Sequence, residues 1–379
     1  MLEFQPSKPL TVGMELEFQL LNARSFELAD GILPLLEDYP DSDNVQPEFI
    51  QETVEVVSDP CEDIAELEAH MRALVADVDE HAAGLGMRMC GAGTHPFSTR
   101  FAAITPKPRY LEIEDRSGYL SHTRITYATH VHIGVPDADE MVRLTGELVP
   151  YLPMLIALSA NSPFWHGCQT GFASYRQRAL AATGSYGNPP NFDDWADFQR
   201  FFKAAKNAEM CREVEDLHWD VRPQPGFGTV EVRTMDAVTT VSEAVALAAL
   251  IRSLVAYLRE TPAHERPPGL PRRLPDWAER ENHFRASHEA LGARRIANAH
   301  GESMRIDETT ERLLEVLEPV AAGLGESHYL DGVRGTLAQG PGSARQLQVH
   351  EETGSLEQVV RAQVEHLRAD LDRSMRARL

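Results

Sequence analysis

Val12-Gly13-Met14-Glu15-Leu16-Glu17-Phe18-Gln19-Leu20-Leu21 alternates with a period of two. Val12, Met14, Leu16, Phe18 and Leu20 share one parity, and Gly13, Glu15, Glu17 and Gln19 the other. Successive strand side chains point to opposite faces, so this segment reads as a strand with one apolar face and one carboxylate face. Further along, Thr53–Val57, Met87–Cys90, Tyr127–Val135 and Thr229–Thr234 read as strands. Ser58-Asp59-Pro60 reads as the cap of a helix running to about Leu85, with Ile64, Leu67, Met71, Leu74, Val75 and Val78 at three- and four-residue steps. A helix over about Ala138–Leu158 is expected to be disturbed by Pro150 and Pro153. Residues 161–191 read as a long functional loop, and Ser242-Glu243 opens the strongest helix, to Glu260. Alternating strands between long helices predict an α+β layer with one sheet face turned to a cavity. Residues 1–379 are taken as one domain, with a Pro-rich connector over 261–276 and a mainly helical part over 277–379.

Composition narrows the function classes. Lys+Arg 36 against Asp+Glu 58 gives a net charge of −22 over 379 residues, with no basic stretch, so nucleic acid is an improbable partner. The most apolar stretches, Leu152–Ala160 and Ala244–Ile251, fall short of the roughly 20 residues that cross a bilayer, so no membrane span is expected. Cys61, Cys90, Cys168 and Cys211 match neither a disulfide framework nor a zinc spacing and read as reduced thiols in a cytoplasm. A homo-oligomer is left open.

Three strand segments each place two polar groups two residues apart, hence on one face: Glu15-Leu16-Glu17, His130-Val131-His132 and Glu231-Val232-Arg233. One such pair alone is an ordinary solvated edge. Three together in a half-buried sheet are costly unless they satisfy each other or a bound ion. Glu52 and Glu55 lie three residues apart, too awkward for one face of a straight strand, so one of them belongs at a bulge or strand end. Glu15, Glu17, Glu52, Glu55, Glu231 and His130 make an oxygen-rich set with one imidazole, which suits Mg2+ or Mn2+ better than zinc. Magnesium suggests phosphate, and Arg233 offers it planar paired donors, a combination that reads as phosphoryl transfer. No G-x-x-x-x-G-K-[ST] loop is present, and Gly91-Ala92-Gly93 reads as a turn. His95 is balanced between a structural and a ligand role. His218 reads as a helix cap, Asp220 and Arg222 as a same-face ion pair, and Phe172 and Tyr175 as packing groups.

The segments Thr11–Glu17, Glu52–Glu55, Cys90–Phe97, His130–Gly134, Leu158–Pro163, Phe172–Arg176, Leu217–Arg222 and Gly228–Arg233 resemble, in order and spacing, the type 2 glutamate–cysteine ligase or carboxylate–amine ligase family of the glutamine synthetase-like superfamily. The resemblance implies a curved, mainly antiparallel sheet flanked by helices. It implies ATP as co-substrate, two or more Mg2+ or Mn2+ ions, and an amide made from a small carboxylic acid and an amine or amino acid through an acyl phosphate. By motif position it implies that Glu15, His130 and Glu231 hold one ion and Glu17, Glu52 and Glu55 another. His132, Arg222 and Arg233 would face the nucleotide and its phosphates; Asn161, Ser174 and Arg176 would shape the substrate pockets; Arg233 and Glu55 are the catalytic candidates. Glu231→Gln is expected to abolish turnover with the fold largely intact. Two rivals remain: a metal-dependent amidohydrolase, whose His-x-His element His130-Val131-His132 also resembles, and a nucleotide-binding protein without turnover.

Overall fold

The computed structural model describes residues 2–377, with side chains through Arg373. The alternating segment forms β1 (Val12–Asn22), the spine of a seven-stranded sheet with β2 (Val45–Pro47), β3 (Thr53–Val57), β4 (Met87–Cys90), β5 (Ala128–Gly134), β6 (Val221–Gln224) and β7 (Thr229–Asp236). The order is β2-β3-β1-β5-β7-β6, with β4 paired to the far end of β1, and every pairing is antiparallel. The path is open, so the closed strand-helix barrel that an amidohydrolase His-x-His element would occupy is absent among the described residues.

One sheet face is apolar throughout. Met14, Leu16, Val54, Val56, Val131, Ile133, Val230 and Val232 are all buried in a single cluster with α1 (Ile64–Gly84) and α4 (Val241–Glu260). Asp63 caps α1, its side chain accepting from Glu66 N at 2.9 Å. The cap thus lies beyond the expected Ser58-Asp59-Pro60, because Cys61 is still held extended by reciprocal backbone bonds with Val12. A Thr240–Glu243 capping box starts α4. Pro150 and Pro153 do not end their helix: α2 (Ala138–Leu148) passes through a 3-10 turn at Val149–Tyr151 into α3 (Leu152–Ser159), and each proline falls in the first turn of a new segment, where no N–H is needed. The α2–α3 run and α4 are long and apolar enough to cross a membrane, contrary to the sequence expectation, but 83% and 89% of their apolar windows are buried inside the protein, as in core helices.

Residues 261–275 carry no regular element. Beyond them α5 (Asp276–Glu289), α6 (Ile306–Leu324), α7 (Leu330–Gln339), α8 (Gly342–Thr353) and α9 (Leu356–Ala377) are joined by one small hairpin, Arg294–Ile296 with Ser303–Arg305. Leu313, Leu317, Leu330 and Leu367 from these helices enter the same core as β1. Gly91 and Gly93 are explained by close approach: a Cβ would meet Val238 O at 2.1 Å and Asp236 Cγ at 2.7 Å, respectively.

His95 is a structural residue. It is buried, its Nε2 lies 2.9 Å from Phe26 O, and its Nδ1 accepts from Ser98 N at 3.0 Å. Burial lowers its pKa to about 4 from an ordinary 6.5. The unfolded chain protonates first, so the neutral ring's contribution is complete above pH 6.5 and is lost as pH falls to 4, about 3 kcal/mol in all. His95→Gln should flatten that part of the acid-stability curve in denaturant titrations; an unchanged curve would contradict the assignment.

Candidate active site

The opposite sheet face gathers the polar residues. Strand register sets Glu15 opposite His130, Glu17 opposite Glu55, and Glu231 between His132 and Arg222. Parity puts all of them, with Gln224 and Arg233, on the side away from the helices. Glu15, Glu17, Glu55, His130, Arg222, Gln224 and Arg233 line a cavity of about 360 Å³ that is also walled by Glu48, Arg124, Arg176, Tyr186 and His218.

Glu15 is the hub. Its Oε2 is 2.8 Å from His130 Nδ1 and its Oε1 is 3.1 Å from His132 Nε2. Arg222 grips Glu231 through Nε at 2.7 Å and a second nitrogen at 3.2 Å, Gln224 Nε2 adds a bond at 2.9 Å, and Arg233 donates to the same carboxylate. Arg222 also donates to the carbonyls of Glu215 and Leu217, so four of its five N–H groups are committed. Arg233 keeps more of its fork open to the cavity. Asp220 does not pair with Arg222 as expected; it lies 3.1 Å from His283 Nε2.

Three sets of ligand-type atoms lie within 4.8 Å of one another: Glu15, His132 and Glu231; Glu15, Glu55 and His130; and Glu17, Glu48 and Glu55. Electrostatics divides the face. Burial alone would raise Glu15, but its bonds with His130 and His132 outweigh it and hold the carboxyl well below its usual range. Burial of Glu231 is likewise overcome by Arg222 and Arg233. On the β3 side, burial and then Glu48 push Glu17 up to about 8, and burial with Glu15, Glu48 and Glu17 holds Glu55 well above its ordinary value. Burial and then Arg233 lower His130 to about 4. Carboxylates crowded this closely fit hard divalent cations, which supply the missing positive charge to oxygen-rich sets with at most one imidazole each.

Glu52 lies apart from this cluster. Fully buried just before β3, on the parity of Val54, it accepts from Ala103 N at 3.2 Å and sits 3.2 Å from Arg100 Nε. Glu48 occupies the third position beside Glu17 and Glu55 instead. Its signal was the parity of Gln46 and Glu48 continuing from β2, masked by Pro47 and by a strand of only three residues.

Residues 11–362 match the family described as glutamate-cysteine ligase family 2 (GCS2). A relative named "Putative glutamate--cysteine ligase 2" from Trichormus variabilis is 45% identical over 370 residues, covering 98% of this chain and 96% of the relative. The chain belongs to the glutamate–cysteine ligase family 2. A second relative of the same name, from Thermobifida fusca, is 35% identical over 97% of this chain and 93% of its own. Among solved structures, a glutamate–cysteine ligase from Francisella tularensis in complex with AMP shares the fold at TM-score 0.62 and 12% identity, covering 99% of this chain and 95% of that one. A bifunctional glutathione synthetase from Pasteurella multocida does so at TM-score 0.67 and 12% identity, with this chain spanning 53% of it. These neighbours bear out the α+β, glutamine synthetase-like fold expected from the sequence.

In this GCS2 member the three expected substrate residues separate. Arg176 lines the cavity. Ser174 Oγ donates to buried Asp236 at 2.7 Å, and Asn161 ties the sheet to the C-terminal helices. The Asn161 amide donates to the carbonyls of Gly91 and Ala237 and accepts from Gln346 and Gln363, with no wall of the cavity formed by either residue. Asn161→Ala strands several buried groups and is expected to cost about 2–4 kcal/mol in chemical denaturation. Weakened substrate binding at undiminished stability would return Asn161 to the pocket.

Proposed function

We propose that the protein is an ATP-dependent carboxylate–amine ligase that makes an amide through an acyl phosphate, with glutamate and cysteine as its first candidate substrates. The reading is supported by one observation above all: a carboxylate–imidazole cluster, an all-carboxylate cluster and the Arg233 fork converge on one sheet face. We assign Glu15, His130, His132 and Glu231 to one cation position and Glu17, Glu48 and Glu55 to another. Divalent cations bound there would neutralise charge on transferring phosphoryl oxygens.

A carboxylate does not condense with an amine in water, because oxide is its leaving group. The acid's oxygen therefore attacks the γ-phosphorus of ATP; a P–O bond forms, the β–γ bridge breaks, and ADP departs. Arg233, fixed by Glu231, aims its remaining donors at the phosphoryl oxygens. The amine nitrogen then attacks the acyl carbon, phosphate leaves with the C–O electron pair, and the amine's proton passes to a basic group of the cavity. Tyr186, Arg124 and His218 wall the cavity and limit water, which would otherwise hydrolyse the acyl phosphate. We infer that residues 1–379 act as one catalytic unit in a cytoplasmic setting.

The test is a screen of acids against amines for ATP consumption, with mass detection of the product. Amide, ADP and phosphate in equal amounts are expected. ATP binding without turnover for any pair would favour the non-catalytic reading.

A further inference from the structure

The cavity over the carboxylate face adjoins a second one, of about 650 Å³, between the helix Pro108–Ser117 and residues 182–185 and 210–216. Five residues wall both: Arg109, Ile113, Arg124, Thr183 and His218. His218 is the one imidazole among them, half-buried at the junction. It follows a 3-10 turn at Val214–Asp216, and in place of the expected helix cap its backbone N–H donates to Ser185 Oγ at 3.4 Å. Its ring makes no hydrogen bond or ion pair among the described residues.

Most other proton acceptors of the cavity are committed. Glu15 holds His130 and His132, Glu17, Glu48 and Glu55 crowd into one cation set, and Asp220 lies 3.1 Å from His283 Nε2. His218 keeps a lone pair turned to open space. Burial and then Arg233, Arg124 and Arg222 lower its pKa to about 3, with Asp216 acting weakly the other way, so the ring is neutral at neutral pH. Anions bound among those guanidinium groups offset the field that weakens the ring. His218 therefore becomes a better acceptor once a phosphoryl group is in place.

We propose that His218 is the catalytic base that takes the proton from the attacking amine and returns it to the departing phosphate. The assignment rests on the ligase reading above and identifies the basic group that the second step requires. The amine lone pair forms a bond to the acyl carbon, and the carbonyl π pair moves to oxygen. The nitrogen, now cationic, gives its proton to the imidazole lone pair. As the carbonyl re-forms, the C–O bond to phosphate breaks and phosphate leaves with that electron pair. Phosphate then takes the proton from the imidazolium, so the products are amide and hydrogen phosphate and the ring ends neutral.

Two readouts separate this role from activation of the acid, with Mg2+, ATP, and L-glutamate plus L-cysteine or the most active pair of the screen above. Scrambling of 18O from the β–γ bridge of ATP, with the acid but no amine, reads acyl-phosphate formation alone. His218→Asn should keep that exchange within about threefold of wild type and lose at least about a hundredfold in kcat for the amide. His218→Ala should be as slow, and added imidazole should restore its amide formation at least about tenfold while leaving its isotope exchange unchanged. Amide formation by His218→Asn close to the wild-type rate would overturn the base. So would exchange lost in step with amide formation, or an alanine variant that imidazole does not revive. Wild type that neither exchanges 18O nor makes amide from any pair overturns the ligase reading itself.

Discussion

Glu55→Gln is expected to stabilise the metal-free protein while reducing Mg2+-dependent amide formation at least about a hundredfold. Glu55 faces Glu17 across the β1–β3 ladder and shares its cluster with Glu48, and no cationic side chain forms an ion pair with it among the described residues. Its carboxyl is held well above the ordinary range by burial and then by Glu15, Glu48 and Glu17. A group raised in this way takes up a proton on folding. The stability it contributes is complete below pH 4.5, its ordinary value, and is lost as pH rises through the folded-state value. Glutamine removes that loss, so the variant should gain on wild type from pH 4.5 upward and match it in acid. Mg2+ should then raise the melting temperature of wild type and have little effect on the variant, since only a folded state with intact ligands gains from the ion. A variant that melts lower than wild type at neutral pH, or one that Mg2+ stabilises as strongly, would remove Glu55 from the cation position.

Glu231→Gln should behave in the opposite way in stability while also losing activity. Glu231 is 1% exposed and is the shared counter-charge of Arg222 and Arg233. An amide in its place leaves Arg222 buried beside a second guanidinium with no anion, a change that costs about 3–5 kcal/mol. The variant is therefore expected to unfold at markedly lower denaturant concentration, which replaces the sequence-level expectation of an intact fold. Adding Arg222→Met should recover stability but not turnover, because the stranded charge is gone while the carboxylate is still missing. Stability equal to wild type in Glu231→Gln would show that these arginines find other partners.

The two substitutions share a chemistry and a sheet face yet diverge because their neighbours differ, and those neighbours come from separate strands. In the sequence, Glu15, Glu55 and Glu231 look alike. Their alternation with valine and leucine predicted which face each takes, and β3 and β4 were legible to the residue. The order of strands was not legible, since pairing joins residues such as Glu15 and His130 that are 115 positions apart. Glu48 stayed hidden behind a proline in a three-residue strand. The family resemblance pointed Asn161 toward the substrate pocket, and nothing local announced that Gln346 and Gln363 would close around it.

The periodic elements, the apolar face of the sheet and the kinds of donor atom on the other face are written in the order of residues, because parity and side-chain chemistry are local properties. Tertiary packing was needed to set which carboxylates meet a guanidinium and which meet each other, and which histidine is a structural support. Those outcomes depend on distances between strands and on burial, and electrostatic energy in a low-dielectric interior changes steeply with both.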